Sequence, residues 1–327
     1  MENKKISEMR ELEMLARTRA RVQLSRSLIS VGGQAVIEGV MIRGLNHYVV
    51  AVRKNKKIIM KNGAIKKKKY NFLKWPFIRG FVNLVEMLVI GIKSLLWSAE
   101  QASSEEKIGK NELAFTVLIS VGFVILFFIA LPYFLTNLIG ITEEQKPIFF
   151  NIVDGMIRIL IFLIYIVAIS FIKDVKILFQ YHGAEHKSIH CYEKGKRLDV
   201  ANIRKFTTLH PRCGTSFLLI VFIVSILVFS LLPSIILFYY PAFSSLNVWI
   251  RKGVLFPVRI LLIPVIAGIS YEILKISDKN QKNLLFRLIS MPGLWLQKIT
   301  TKEPNIKQIE VAIYSLKKLL EIEKIRK

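Results

Sequence analysis

Cysteine and acidic residues are scarce in this chain. Two of its 327 residues are cysteine, Cys191 and Cys213, which excludes a disulfide framework. Only 23 Asp and Glu stand against 48 Lys and Arg, giving a formal net charge of +25, which excludes an acidic, solvating chain. Histidine numbers five. The opening stretch, Met1 to Arg26, has no apolar run, so no cleavable signal peptide is expected and the first span should act as an internal insertion signal. No internal repeat is visible.

Hydrophobic residues, by contrast, make up 53% of the chain. They gather into runs long enough to cross about 30 Å of hydrocarbon as helices. The strongest is Leu113 to Leu135, which carries no charge; Ile148 to Ile172, Ser216 to Tyr240 and Val254 to Leu274 follow. The expected class is therefore a mainly α, polytopic membrane protein with about four transmembrane helices.

Short loops keep their Lys and Arg on the cytoplasmic side. Between the second and third spans lie Lys173, Lys176, Lys187, Lys194, Lys196, Arg197, Arg204, Lys205 and Arg212, whereas the first loop holds Lys146 beside Glu143 and Glu144. Four spans with both termini in the cytoplasm satisfy this bias, with Arg251 and Lys252 as the contrary signal. Both cysteines then face a reducing compartment.

Outside the spans, residues 1–29 read as a charged helix. Residues 30–70 read as a small β-containing cytoplasmic module, with a hairpin turning near Lys54 to Lys56 and the glycines of "VGGQAVIEGVMIRG" as backbone bends. Residues 71–111 follow as an interfacial helical region, because Lys74, Arg79, Glu86 and Lys93 interrupt the stripe Phe77, Phe81, Leu84, Leu88, Ile92 and Leu95. The membrane domain covers 112–274 and includes a cytoplasmic His-rich helix and loop at 173–213. Residues 275–327 complete the chain as an interfacial helix and an amphipathic one, whose stripe Ile306, Ile309, Ile313, Leu316 and Leu320 should pack back on the module.

The chemistry concentrates in "YHGAEHKSIHCYE", Tyr181 to Glu193. At about 100° per residue, His182, Glu185, His186, His190 and Glu193 fall on one helical face, with Cys191 opposite. His182, Glu185 and His186 also spell H-x-x-E-H, the order that in inverted zincins supplies two imidazole ligands and a carboxylate base. His182 and His190 lie about 12 Å apart along a helix and cannot share one ion. Either His182 with His186, or His186 with His190, would bind, or two ions would share the face. "TLHPRCGTSF" offers His210 and Cys213 as further ligands. Two more ligands would close the site as a structural one, and one would leave it open for substrate. Zinc suits Cys and His together. Glu185 is the candidate base; Glu193, Glu38 and Glu272 are possible accessory groups, and Asp154 with Arg158 reads as a structural ion pair. The bland alternative is a polar helix face beside a membrane.

The strings "GGQAVIEGVMIRG", "YHGAEHKSIHCYE", "LHPRCGTSFL", "PGLWLQKITTKEP" and "QIEVAI" resemble the YqhQ family of bacterial membrane proteins, from about Gly32 to about Ile313. The resemblance implies a metal-dependent enzyme of unknown reaction in the bacterial cytoplasmic membrane.

Two functions are therefore expected in competition. One is a membrane-embedded hydrolase with a divalent metal, its site at the cytoplasmic face and its substrate lipid-linked or a membrane protein. The other is a scaffold or assembly factor whose basic surface binds anionic lipid, the ribosome or another membrane protein, any metal being structural; no DNA partner is expected. Charge-steered binding of that kind would be salt-dependent.

Overall fold

The computed structural model describes residues 29–66, 70–102, 110–142 and 146–323. The expected N-terminal charged helix falls outside these, apart from Ile29. The architecture is mainly helical, with one four-stranded antiparallel sheet in simple meander order: β1 (Gly32–Val36), β2 (Gly39–Arg43), β3 (His47–Lys54) and β4 (Lys57–Ala64). The β3–β4 turn is Asn55-Lys56, both residues at positive φ, the tight two-residue geometry that matches strand twist. The sequence places this hairpin correctly.

The glycines of the first hairpin differ from expectation. Gly32, Gly33 and Gly39 lie within strands, and the turn itself is Ile37-Glu38, with Glu38 at φ 52°. Gly39 is needed for approach rather than bending: a Cβ there would lie 2.2 Å from the Ala51 carbonyl oxygen.

Both sheet faces are buried, because β2 and β3 carry continuous apolar runs rather than strict alternation with polar residues. Met41, Val50 and Val52 pack on Ile90, Met87 and Trp97 of α1 (Ile78–Ala102). Val40, Ile42, Val49 and Ala51 face a larger core. That core is shared with the His-rich helix, Lys173–Glu193, and the final helix, Ile306–Ile322.

The remaining helices in chain order are α2 (Lys110–Ile125), continued by a π-helical turn at Leu126–Ala130 into α3 (Leu131–Leu138), α4 (Pro147–Ser170), α5 (Lys173–Glu193), α6 (Val200–Ile203), α7 (Gly214–Tyr239), α8 (Val248–Lys279), α9 (Leu284–Thr300) and α10 (Ile306–Ile322). Five of the described helical segments are long and apolar enough to cross a membrane: Ile78–Ala102, Ala114–Leu138, Pro147–Ser170, Gly214–Tyr239 and Ile250–Lys279. The segment beyond the four expected is α1. Its first turns meet α8, where a Cβ on Gly80 would lie 2.7 Å from Tyr271 Cβ, and its second half lies under the sheet.

α10 begins after Pro304 with a capping box. The Gln308 N–H donates to Asn305 Oδ1 at 3.0 Å, and the Asn305 N–H donates to Gln308 Oε1 at 2.8 Å. It packs on the sheet as expected, but its buried face is rotated. Ile309, Val311, Ala312, Leu316, Leu319 and Leu320 are buried, whereas Ile306 is 51% exposed. Each large aliphatic residue buried there contributes about 1.5–3 kcal/mol. This three-layer unit of α1, sheet and α5 with α10 sets the His-rich helix against β1.

Candidate metal centre

α5 carries its histidines along the edge of the sheet, and two segments close over them. One is the loop Thr207 to Cys213; the other is the chain leaving α9 at Thr300 to Lys302, whose Lys302 N–H donates to the Phe179 carbonyl at 2.9 Å. Gly183 permits this approach, since a Cβ there would lie 2.1 Å from the Lys302 carbonyl oxygen.

Two groups of side chains converge, each with ligand atoms within 4.8 Å of one another: His182, His186 and Cys213, and separately His190, Glu193 and His210. The rings of His182 and His186 are 4.4 Å apart, His186 and His210 5.5 Å, and His190 and His210 4.5 Å. His182 and His190 belong to different groups, as helix rise demands. The H-x-x-C pair is split between the groups, so "HPRC" does not act as one bidentate clip.

Hydrogen bonds distinguish the two groups. His182 Nδ1 donates to the Thr300 carbonyl at 2.9 Å, and His186 Nδ1 donates to the Thr208 carbonyl. A carbonyl only accepts, so both protons sit on Nδ1 and both Nε2 lone pairs are left for a ligand. His182 Nε2 is 3.2 Å from Cys213 Sγ, and the same sulfur lies within 4.8 Å of a His186 ring nitrogen. Zinc at about 2.0–2.1 Å from nitrogen and 2.3 Å from sulfur places N and S roughly 3.6 Å apart in a tetrahedron, so a small outward movement accommodates it. Cys213 is also the N-cap of α7, where the positive end of the helix dipole favours negative charge. These three residues fit a zinc ion.

The second group is already satisfied without one. His190 Nε2 donates to the Leu209 carbonyl at 2.8 Å. His210 Nδ1 accepts the Arg212 N–H at 3.3 Å, so its proton is on Nε2, which faces Glu193 Oε2 at 3.4 Å. Glu193 is in turn paired with Arg212, whose Nε lies 3.8 Å from Asp278 Oδ2 at the end of α8.

Glu185 stands beside the first group, Oε2 3.4 Å from His186 Nε2. It is 3% exposed. Burial pushes its carboxyl above the usual range, against the pull of His182 and His210. Gly33 of β1 makes room for it, as a Cβ there would come within 2.8 Å of Glu185 Oε1. Burial also lowers His186, His190 and His210, the second to about 4, which keeps the imidazoles neutral at physiological pH as metal ligation requires.

The other expected accessory residues lie elsewhere. Glu38 accepts from the Tyr181 hydroxyl at 3.2 Å and joins neither group. Glu272 forms a two-pronged pair with Arg79 of α1, at 2.7 and 2.6 Å. Asp154 accepts from Arg158 at 2.7 Å one turn along α4, the structural pair expected. Cys191 is buried in the sheet-side core and meets the Arg197 carbonyl. Neither cysteine is in a disulfide.

Sequence reasoning missed Gln297. It is fully buried in α9, accepts from the His210 N–H at 2.7 Å and donates to the His210 carbonyl at 2.9 Å and to Ser216 Oγ at 2.8 Å, locking the loop onto α7. An amide inside the apolar string "PGLWLQKI" was the available signal. Thr208 and Thr300 contribute through backbone carbonyls, which leave no mark in side-chain identity.

Residues 75–322 match the family described as "Protein of unknown function (DUF1385)". The "Uncharacterized protein YqhQ" of Bacillus subtilis (strain 168) is 36% identical over 309 residues, covering 89% of this chain and 92% of that relative. No solved structure matches the chain.

Proposed function

The chain belongs to this DUF1385 family, that of YqhQ, and from its histidine and cysteine geometry we propose a membrane-bound, metal-dependent hydrolase whose zinc ligands are His182, His186 and Cys213. The observation that carries the reading is the pair of Nδ1–carbonyl bonds, which fix both rings in one tautomer with Nε2 turned to the same sulfur. Such outer hydrogen bonds are typical of zinc histidines. Zinc bound there supplies Lewis-acid polarisation of a carbonyl or phosphoryl group. Glu185 acts as general base: burial raises its basicity above that of an ordinary carboxylate, which favours proton acceptance.

The basic segments support a cytoplasmic placement of the sheet, α5 and α10, with both termini in the cytoplasm and the spans in the bacterial cytoplasmic membrane. α2 with α3, α4, α7 and α8 serve as the spans. The sheet covering Met87 to Trp97 supports an interfacial role for α1. Cys213 stands where α7 emerges and Thr300 where α9 ends, so a lipid-linked or membrane-protein substrate suits the site.

Deep burial of His186 and Glu185 favours a second reading, a closed structural zinc site in a scaffold whose basic surface binds anionic lipid or ribosome. Metal analysis of Glu185→Gln separates the two. Full zinc content with hydrolysis abolished supports the enzyme; loss of zinc makes Glu185 a fourth ligand and supports the scaffold. Wild-type protein purified without stoichiometric metal refutes both metal readings.

A further inference from the structure

Below the sheet, on the flank of α1, lies a groove with a cavity of about 260 Å³. Tyr48, Val50 and Lys61 line it from the sheet, and Lys93, Ser94, Leu96, Trp97 and Glu100 from α1. Lys61 pairs in register with Val50, and shares with Ile59 the face of β4 turned to α1. Tyr48 lies across Gly63, where a Cβ would be 2.6 Å from the phenol oxygen, so the missing side chain shapes one wall.

The groove occupies a boundary. At about 100° per residue, Val85, Leu88, Val89, Ile92, Leu95 and Leu96 form one side of α1, and all are 39–57% exposed. Met87, Ile90, Ser94 and Ser98 form the opposite side, under the sheet. Lys93 and Trp97 project between the two. Among the described residues neither Lys61 nor Lys93 is in an ion pair, and a single carboxylate, Glu100, accompanies them.

We propose that this groove binds the phosphate headgroup of an acidic phospholipid, with the acyl chains running along the exposed apolar side of α1. The two ammonium groups supply charge complementarity, the aromatic rings suit the headgroup level, and the exposed apolar side of α1 continues from the groove. This inference rests on the membrane association of the chain and is independent of the metal reading.

The full-length protein in mild detergent would be titrated with phosphatidylglycerol or phosphatidylcholine of identical acyl chains, and bound lipid counted by native mass spectrometry. Lys61→Gln with Lys93→Gln should weaken one saturable phosphatidylglycerol site about thirtyfold. Lys54→Gln with Lys57→Gln, exposed lysines on the same hairpin, should leave it unchanged. Wild-type affinity in the groove variant, an equal loss in the hairpin variant, equal retention of phosphatidylcholine, or displacement by equimolar inorganic phosphate would each overturn the proposal.

Discussion

Gly183→Ala tests whether the chain leaving α9 holds the proposed metal centre. The added Cβ would sit 2.1 Å from the Lys302 carbonyl oxygen, against 3.4 Å for ordinary contact, so the segment must retreat by about 1.3 Å. The obstacle is backbone, which no rotamer change can clear. Thr300, two residues earlier, accepts from His182 Nδ1 at 2.9 Å, and a retreat of that size carries the acceptor beyond hydrogen-bond range. Losing an outer-shell partner of a metal histidine costs about 10–100-fold in metal affinity. Zinc affinity measured by competition with a chromogenic chelator should fall by that factor, with a melting temperature lowered by overpacking worth about 1–3 kcal/mol. Gly214→Ala is the control, since its Cβ would meet nothing within 4 Å. Unchanged zinc affinity in Gly183→Ala, or an equal loss in Gly214→Ala, would refute the reasoning.

Under the proposed ligation Cys213→Ser should release most of the zinc, whereas His190→Ala and His210→Ala should retain one equivalent by elemental analysis; two equivalents in the wild type would contradict the division between the groups. Gln297→Leu strands the His210 N–H and carbonyl, and should destabilise the protein by about 2–5 kcal/mol in a thermal melt. Burial holds His190 at about 4 when folded, while the unfolded ring titrates near 6.5. The unfolded chain therefore takes up protons first. The contribution of His190 to metal-free stability should be complete above about pH 6.5 and be lost as pH drops towards 4, by at most about 3 kcal/mol and less because the part-exposed ring is screened. His190→Gln should flatten that decline, and a pH-independent melt would count against it.

Local pattern made much of this legible. The β3–β4 hairpin follows from the flanking alternation, and α10 from its stripe after Pro304, though Ile306 is outside the buried face because Val311, Ala312 and Leu319 pack instead. The histidine face of α5 follows from helix periodicity alone. The sorting of its members does not, since Cys213 and His210, three residues apart, diverge to different rings in a turn whose course depends on Gln297 from a distant helix. Glu38 and Glu272 looked available only because Tyr181 and Arg79 are far away in the chain.

A single element can encode apolar length sufficient for membrane spans, the charge bias of the loops, and five polar groups on one helical face. Which nitrogen of each histidine carries the proton, which thiol faces it and which carboxylate is shut away from water depend on contacts between distant elements. Those choices belong to backbone carbonyls at Thr208 and Thr300 and to missing side chains at Gly33 and Gly183. Carbonyls are common to every residue and a glycine's absent Cβ has meaning only beside a neighbour, so neither can be read until the chain has folded.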